Sequence, residues 1–242
     1  MKKNLLFIPV YNSEKEISKL INKIKNINFS EIDTLLIIDN CSFDKTYLTV
    51  KNLLRNFKIK TKIIRNKKNL GLGGSFKKAF EFAINNNFNY IIHYHGNNMN
   101  EIRDLKKILN NKRFYRFDFY LGSRFMKKSK IKNYSFIRQI TNHLFNFIFS
   151  FISKMKILDL GSSLNVFKTK NFKDGVFKNF SNDLTFQYYL ILYIGHYNKS
   201  FNYFPISVNI KHKSNVVPFK HVIKMISIIF TYACFKSSFF KK

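Results

Sequence analysis

Acid is what this 242-residue sequence has least of: 13 Asp and Glu stand against 43 Lys and Arg, a formal charge of +30. Such an imbalance draws a protein toward anionic surfaces, lipid headgroups and phosphates among them. The basic residues are spread along the whole chain, as a general drift toward Lys, Asn, Ile, Phe and Tyr would leave them. No zinc spacing, RRM-like motif or recognition-helix pattern accompanies the charge, so nucleic acid is not an expected partner. Cysteine is scarce too. Cys41 and Cys234 show neither metal-ligand spacing nor a disulfide framework, which points to a reducing, cytoplasmic setting. Long apolar runs are missing: no stretch reaches the ~18 residues of a membrane span. The opening run Leu5–Val10 is cut off by Tyr11-Asn12-Ser13-Glu14, too soon for the apolar region of a signal peptide. Internal repeats and linker-like stretches are absent as well. Against these absences, 45% of the residues are hydrophobic, enough for a chain of this length to bury a core.

What is present alternates. Leu5–Val10, Thr34–Ile38, Lys60–Ile64 and Tyr90–Tyr94 read as strands, the first as a continuous apolar run of the kind a parallel sheet buries on both faces. Between them, Glu16–Ile27, Tyr47–Phe57 and Ser75–Asn85 carry apolar residues at helical spacing. The predicted fold class is therefore α/β, a doubly wound, mostly parallel sheet over roughly residues 1–125. Ligands of such sheets sit outside the carboxyl ends of the strands. Asp39, the Gly71–Gly74 loop and His95–Asn98 all fall at such ends. Residues 126–242 form a less regular, helix-rich half continuous with the first. A strand at Phe119–Gly122 leads into it, and it carries a long apolar helix over Ile137–Met155 and a turn and strand over Asp159–Phe167. Further on come a helix over Leu184–Ile194, a strand over Phe201–Ile210 and a last helix over Val222–Phe235, followed by Lys236, Lys241 and Lys242. Ser75, Asn12, Ser13 and Asp183 stand where N-caps would.

Five segments, taken in order, carry a resemblance: Phe7-Ile8-Pro9-Val10-Tyr11-Asn12-Ser13-Glu14, Ile37-Ile38-Asp39-Asn40-Cys41-Ser42-Phe43-Asp44-Lys45-Thr46, Asn69-Leu70-Gly71-Leu72-Gly73-Gly74-Ser75, His95-Gly96-Asn97-Asn98 and Asp159-Leu160-Gly161-Ser162-Ser163-Leu164-Asn165. Together they resemble family 2 glycosyltransferases of the GT-A fold, in the branch similar to dolichyl-phosphate-mannose synthase. The resemblance implies transfer of a sugar from a nucleotide-sugar donor to a lipid phosphate such as a polyprenyl phosphate, a glycan or another acceptor, in cell-envelope or surface polysaccharide synthesis. It places Pro9, Tyr11, Asn12, Glu14 and Asp39 around the nucleotide, with Asp39 gripping the base. Gly71, His95, Asn97 and Arg124 join the donor side, where Arg124 and lysines can offset diphosphate charge. The glycine loop in this family shapes the turn before a helix rather than cradling phosphate. Asp183 is the candidate general base, and Asp159 a second acid that serves or orients the site.

The departure lies at the fourth segment. The family carries D-x-D there, a carboxylate for Mg2+ or Mn2+, and here Asn97 offers a neutral carbonyl. No carboxylate occurs between Glu81 and Glu101, and hard cations prefer carboxylate oxygen. His93 and His95 lie on one face of the strand, so His95 and Asn97 are the metal-ligand candidates. A degenerate, non-catalytic binding protein of the same fold is the alternative. The Phe145–Ile152 run and the Val222–Phe235 helix, apolar with basic flanks, suit the interface of an anionic membrane on its cytoplasmic side, or else packing against the sheet.

Overall fold

The computed structural model describes residues 2–210 and 218–240, with side chains described in the last helix from Lys220 onward. Lys241 and Lys242, part of the expected basic tail, lie outside the described residues. The first half follows the predicted alternation: β1 (Asn4–Val10), α1 (Glu14–Ile24), β2 (Thr34–Asp39), α2 (Thr46–Leu53), β3 (Lys60–Arg65), α3 (Gly71–Asn85) and β4 (Tyr90–Tyr94). Then come α4 (Ile102–Asn111), β5 (Phe119–Ser123), the two-residue β6 (Ile131–Lys132), α5 (Phe136–Ser153), β7 (Leu164–Lys168), α6 (Phe186–His196), β8 (Phe201–Pro205), β9 (Val208–Asn209) and α7 (Pro218–Cys234).

Seven strands share one sheet in the order β3-β2-β1-β4-β7-β5-β8, and β6 pairs separately with β9. β7 runs antiparallel to both its neighbours, while the ladders of β1 with β2 and β4, β2 with β3, and β5 with β8 are parallel. The period of two in β1 and β2 explains why they lie inside the sheet rather than at its edge. Leu5, Phe7, Leu36 and Ile38 enter the core on one face, and Leu6, Ile8, Leu35 and Ile37 the core on the other. The edge strand β3 instead exposes Lys60 and Lys62, charges that discourage a further strand from pairing. Pro9 sits inside β1 without loss, because the β1–β4 ladder has ended at Phe7 and His93. On that side Pro9 only accepts, from the Gly96 amide at 3.2 Å.

Several element ends differ from the sequence expectation. α3 begins at Gly71, so Ser75 is no cap: its hydroxyl donates to the Gly71 carbonyl at 3.4 Å from inside the helix. The strand expected over Phe201–Ile210 is two strands in two sheets, since β8 ends at Pro205 and β9 pairs with β6; proline has no amide for a continuing ladder. α6 starts at Phe186 rather than Leu184, and α7 starts four residues earlier than Val222. α4 was not foreseen. Its buried side is only Asp104, Leu105, Ile108 and Leu109 within a charged segment.

His93 illustrates a polar group accepted into the core. It is fully buried on β4, 4.5 Å from the Phe76 ring and 5.8 Å from Phe7 by ring centroids. Neither ring nitrogen has a hydrogen-bond partner among the described residues, and burial, with the neighbouring His95 adding to it, holds the ring far below its usual pKa and therefore neutral. Leaving such groups unpaired costs about 1–3 kcal/mol. His93→Leu, close to isosteric, is expected to raise unfolding free energy by about 1–2 kcal/mol. Urea denaturation measures it, and a loss of stability would show that the imidazole has a partner that matters.

α5 and α7 divide their apolar residues between two sides. Phe145 and Phe149 of α5 and Met225, Ile228 and Tyr232 of α7 are buried. Ile137, Ile140, Leu144, Phe147 and Phe151 of α5, with Ile223, Ile226 and Phe230 of α7, are exposed. Each helix thus packs with one side and leaves an apolar stripe exposed on the other. No helix among the described residues is long and apolar enough to cross a membrane.

Candidate functional site

Because β7 is antiparallel, its first residues lie at the same edge as the carboxyl ends of β1, β2, β3, β4 and β5. The topology therefore gathers segments from across the sequence along one edge. Asp39 ends β2 there and is 1% exposed. Its Oδ1 accepts from the Ser42 amide at 3.2 Å and from the Ser42 hydroxyl. Its Oδ2 accepts no hydrogen bond among the described residues, although Arg65 Nε, at the end of β3, stands 3.2 Å away. A buried carboxylate oxygen with a vacant lone pair beside a guanidinium is suited to a ligand that presents an N–H next to a carbonyl. Arg65 is itself held, donating to the Ser42 carbonyl at 3.0 Å with its guanidinium 5.1 Å from the Tyr47 ring centroid.

The β1 and β2 loops are laced together over this carboxylate. The Asn12 amide donates to Ser42 Oγ at 2.9 Å, and Asn12 Oδ1 accepts from the Phe43 amide at 2.9 Å. Asn12 and Cys41 both take left-handed backbone angles, which asparagine tolerates readily. Neither Asn12 nor Ser13 caps α1 with its side chain, as their spacing suggested. The capping comes from the facing loop instead: the Ser13 amide donates to Thr46 Oγ1 at 2.8 Å and the Glu14 amide to Asp44 Oδ2 at 3.2 Å. Burial works against ionisation of Asp44, but the donors of Thr46 and Glu14 outweigh it and hold the carboxyl below its usual range. Tyr11 and the exposed Phe43 make an edge-to-face pair at 6.4 Å on the rim.

The glycine loop is fixed by packing on both of its sides. Asn40 Oδ1 accepts from Asn66 Nδ2 at 2.8 Å and from the Leu70 amide at 2.9 Å, which pins the loop to the end of β2. The Gly74 amide then donates to the Asn182 carbonyl at 3.1 Å. A Cβ on Gly71, whose φ is +71°, would lie 2.2 Å from the Asn182 oxygen, and one on Gly73 would lie 2.3 Å from the Ser181 oxygen. The glycines thus let the loop that carries Asp183 press against α3.

At the end of β4 the chain turns. The His95 amide donates to the Ser163 carbonyl at 2.9 Å, Asn97 Oδ1 accepts from the Met99 amide at 3.2 Å, and Asn98 Oδ1 accepts from Lys23 Nζ at 2.9 Å. Burial pulls the His95 pKa down to about 4, so at neutral pH the ring adds no positive charge. No group of three or more His, Cys, Asp or Glu side chains able to hold a metal occurs among the described residues. One imidazole and one amide already used by its own turn do not fit Mg2+ or Mn2+, which call for several charged oxygen ligands.

Arg124, expected to offset diphosphate charge, and Asp159, expected to serve or orient the site, pair with each other. Arg124 Nε donates to Asp159 Oδ2 at 2.8 Å, the terminal nitrogen to Oδ1 at 2.7 Å, and the Arg124 amide to Oδ2 at 2.9 Å. The side chains are 14% and 1% exposed. The remaining guanidinium nitrogen reaches the Tyr134 hydroxyl at 3.4 Å.

Asp183 stands just before α6 rather than at its cap. Its Oδ1 accepts from the Thr185 amide at 2.8 Å, the Thr185 hydroxyl at 2.6 Å and the Ser181 hydroxyl at 2.9 Å. Its Oδ2 is bonded to Lys224 Nζ of α7. Burial opposes ionisation here too, but Lys224, Thr185 and Ser181 hold the carboxyl well below the usual carboxylate range. Three parts of this edge escaped the sequence reading: Arg65, the Asn40–Asn66 clamp and Lys224. Arg65 had a signal, since it ends a strand as Asp39 does; Lys224 had none, because only the return of α7 brings it to Asp183.

Comparison with known proteins bears on the family and the fold. The family described as Glycosyl transferase family 2 matches residues 6–179. A protein of Methanocaldococcus jannaschii described as uncharacterised is 27% identical over 160 residues, 66% of this chain and 62% of its own. The chain therefore spans less than two thirds of that relative. The UDP-N-acetylglucosamine--dolichyl-phosphate N-acetylglucosaminyltransferase of Methanococcus voltae is 25% identical over 183 residues, 69% of this chain and 70% of its own. Among solved structures, glucosyl-3-phosphoglycerate synthase from Mycobacterium tuberculosis in complex with Mn2+ and UDP-glucose superposes with a TM-score of 0.62 at 10% identity, covering 96% of this chain and 79% of its own. That likeness concerns the fold. With the family matched across more than half its length and the GT-A sheet carrying the motif segments along one edge, the chain belongs to glycosyl transferase family 2.

Proposed function

We propose that this chain transfers a sugar from a uridine diphosphate sugar to a phosphate carried by a membrane lipid. The observation that carries the donor half is the buried Asp39, with one oxygen vacant beside Arg65. Uracil presents an imide N–H next to carbonyl oxygens, which complements that carboxylate and guanidinium. The Methanococcus voltae relative is named for a uridine donor and a dolichyl-phosphate acceptor, which supports both halves of the reading.

The acceptor half is supported by the state of Asp183. A carboxylate held far below its usual range is a weak general base, and a sugar hydroxyl would need a strong one. A phosphate monoester, with a second pKa of about 6, arrives largely ionised and has no proton to lose. Its oxygen attacks the anomeric carbon, the bond from that carbon to the diphosphate oxygen breaks, and the electron pair leaves with uridine diphosphate. Charge balances across the step, since the acceptor loses the one negative charge that the departing diphosphate gains. Asp183 in this reading orients Lys224 instead of taking a proton. Positive charge for the diphosphate comes from side chains such as Lys23 beside Asn98, in place of the Mg2+ or Mn2+ that His95 and Asn97 do not fit. The exposed stripes of α5 and α7, flanked by the exposed Arg138, Lys154, Lys156, Lys220 and Lys236, suit an anionic bilayer interface.

The test is a transfer assay with a panel of uridine diphosphate sugars and anionic vesicles containing an isoprenyl monophosphate. Lipid-linked sugar should form with at least one donor, and Asp39→Ala should weaken uridine diphosphate binding by about 1–3 kcal/mol. Transfer to a glycan alone would remove the lipid acceptor from the reading. The loss of the D-x-D carboxylates favours a second reading, a non-catalytic member that retains donor binding. Uridine diphosphate binding without turnover of any donor would support it.

A further inference from the structure

α7 carries two faces with different chemistry. His221, Lys224, Met225, Ile228 and Tyr232 fall at helical spacing, and the last three are buried. The first two, one turn apart near the start of the helix, meet polar groups of the second half. Lys224 reaches Asp183, and His221 Nε2 lies 2.7 Å from the Tyr188 hydroxyl. The opposite face is the exposed Ile223, Ile226 and Phe230.

The Lys224–Asp183 contact is more than Asp183 requires. Its other oxygen already accepts three hydrogen bonds, from Thr185 and Ser181. The pair is open to water, with side chains 58% and 36% exposed, so it contributes little stability and Lys224 can be shared with another anion at small cost. A second ammonium stands at the same lip: Lys77 Nζ donates to Asn182 Oδ1 at 2.6 Å. Asp159, a buried acid of this half, is fully engaged by Arg124 and adds no free negative charge. What remains is a lip where the ammonium groups of Lys224 on α7 and Lys77 on α3, each with three N–H donors, stand beside a helix face that backs onto an apolar one.

We propose that the first turns of α7 receive the acceptor's phosphate, with Lys224 and His221 as the binding residues and Asp183 as the residue that positions Lys224. The proposal rests on the reading above that the acceptor is a lipid-borne phosphate. It assigns the recognition of that phosphate to a helix beyond the span of the family match, which ends at residue 179. The arrangement explains why one helix carries both faces. Its apolar stripe lies toward the bilayer, while Lys224 and His221 meet a headgroup that leaves the bilayer by only its phosphate.

Isothermal titration of an isoprenyl monophosphate into the full chain saturated with uridine diphosphate tests this. Lys224→Met is expected to weaken the isoprenyl phosphate by about tenfold to a hundredfold, the usual worth of one charge-assisted hydrogen bond. His221→Phe should weaken it by several-fold, Lys224→Arg should stay near wild type, and uridine diphosphate affinity should stay within about twofold in all three. Lys224→Met and His221→Phe binding the phosphate as tightly as wild type, with uridine diphosphate affinity intact, would overturn the site while leaving the lipid-phosphate reading standing. A wild-type chain that binds uridine diphosphate but no isoprenyl phosphate would overturn that reading itself.

Discussion

Asp159→Ala is expected to cost the fold about 3–5 kcal/mol, the toll of removing one partner from a buried ion pair. The bidentate contact with Arg124 is nearly dry, with Asp159 only 1% exposed at its side chain. Burial works against the Arg124 charge, but Asp159 overcomes it and holds the guanidinium still more firmly protonated than usual. Alanine would strand that cation. It would also release the Arg124 and Gly161 amides, which now donate to Asp159 at 2.9 and 3.1 Å. Urea denaturation should show a lower midpoint at unchanged slope. The double replacement Arg124→Met with Asp159→Leu should be milder than Asp159→Ala alone, because no charge is left unpaired. A loss below about 1 kcal/mol in Asp159→Ala would mean that water reaches the pair freely.

Gly71→Ala is expected to lower kcat by roughly a hundredfold, the scale associated with displacing a site group by about 1 Å, while leaving donor affinity close to wild type. Two effects coincide at this residue. Its φ of +71° is strained for any side chain, and its Cβ would fall 2.2 Å from the Asn182 carbonyl oxygen and 3.3 Å from Asp183 Cα. The backbone before α6 has to retreat, and Asp183 and its hold on Lys224 go with it. Gly175→Ala separates the two effects. Gly175 has a φ of +76° but open space around its Cβ, so its alanine variant should lose about 1 kcal/mol of stability and keep its turnover. Equal losses of kcat in the two variants would assign the effect to general strain rather than to the Asp183 loop.

The parallel half was legible because its strands are covered on both faces, and burial on both faces writes an unbroken apolar run. Asp39 could be placed at a strand end from that run alone. Its vacant oxygen could not, since that depends on how Ser42 and Arg65 fold back over it. The same limit explains Arg124 and Asp159. Both stood out as polar residues in matched segments, yet 35 positions separate them and only the adjacency of β5 and β7 shows that they neutralise each other. α4 stayed hidden because a helix that buries a single narrow side amid Arg103, Lys106 and Lys107 resembles a solvated loop. The N-cap expectations failed for a related reason. Asn12 and Ser13 have the right chemistry, but Thr46 and Asp44 reach α1 from across the sheet edge first.

The place of β7 between β4 and β5 has a consequence for how the chain assembles. β5 leaves the ribosome some forty residues before β7, yet it has no seat in the sheet until β7 pairs with β4. During synthesis the outer side of β4 therefore waits as an open strand edge, the kind of surface that recruits wrong partners. Closure of the sheet is a late, long-range event, and loop-closure entropy makes such events slow. The step that seats β5 also brings Asp159 to Arg124, so β1 to β4 can pair well before that ion pair exists.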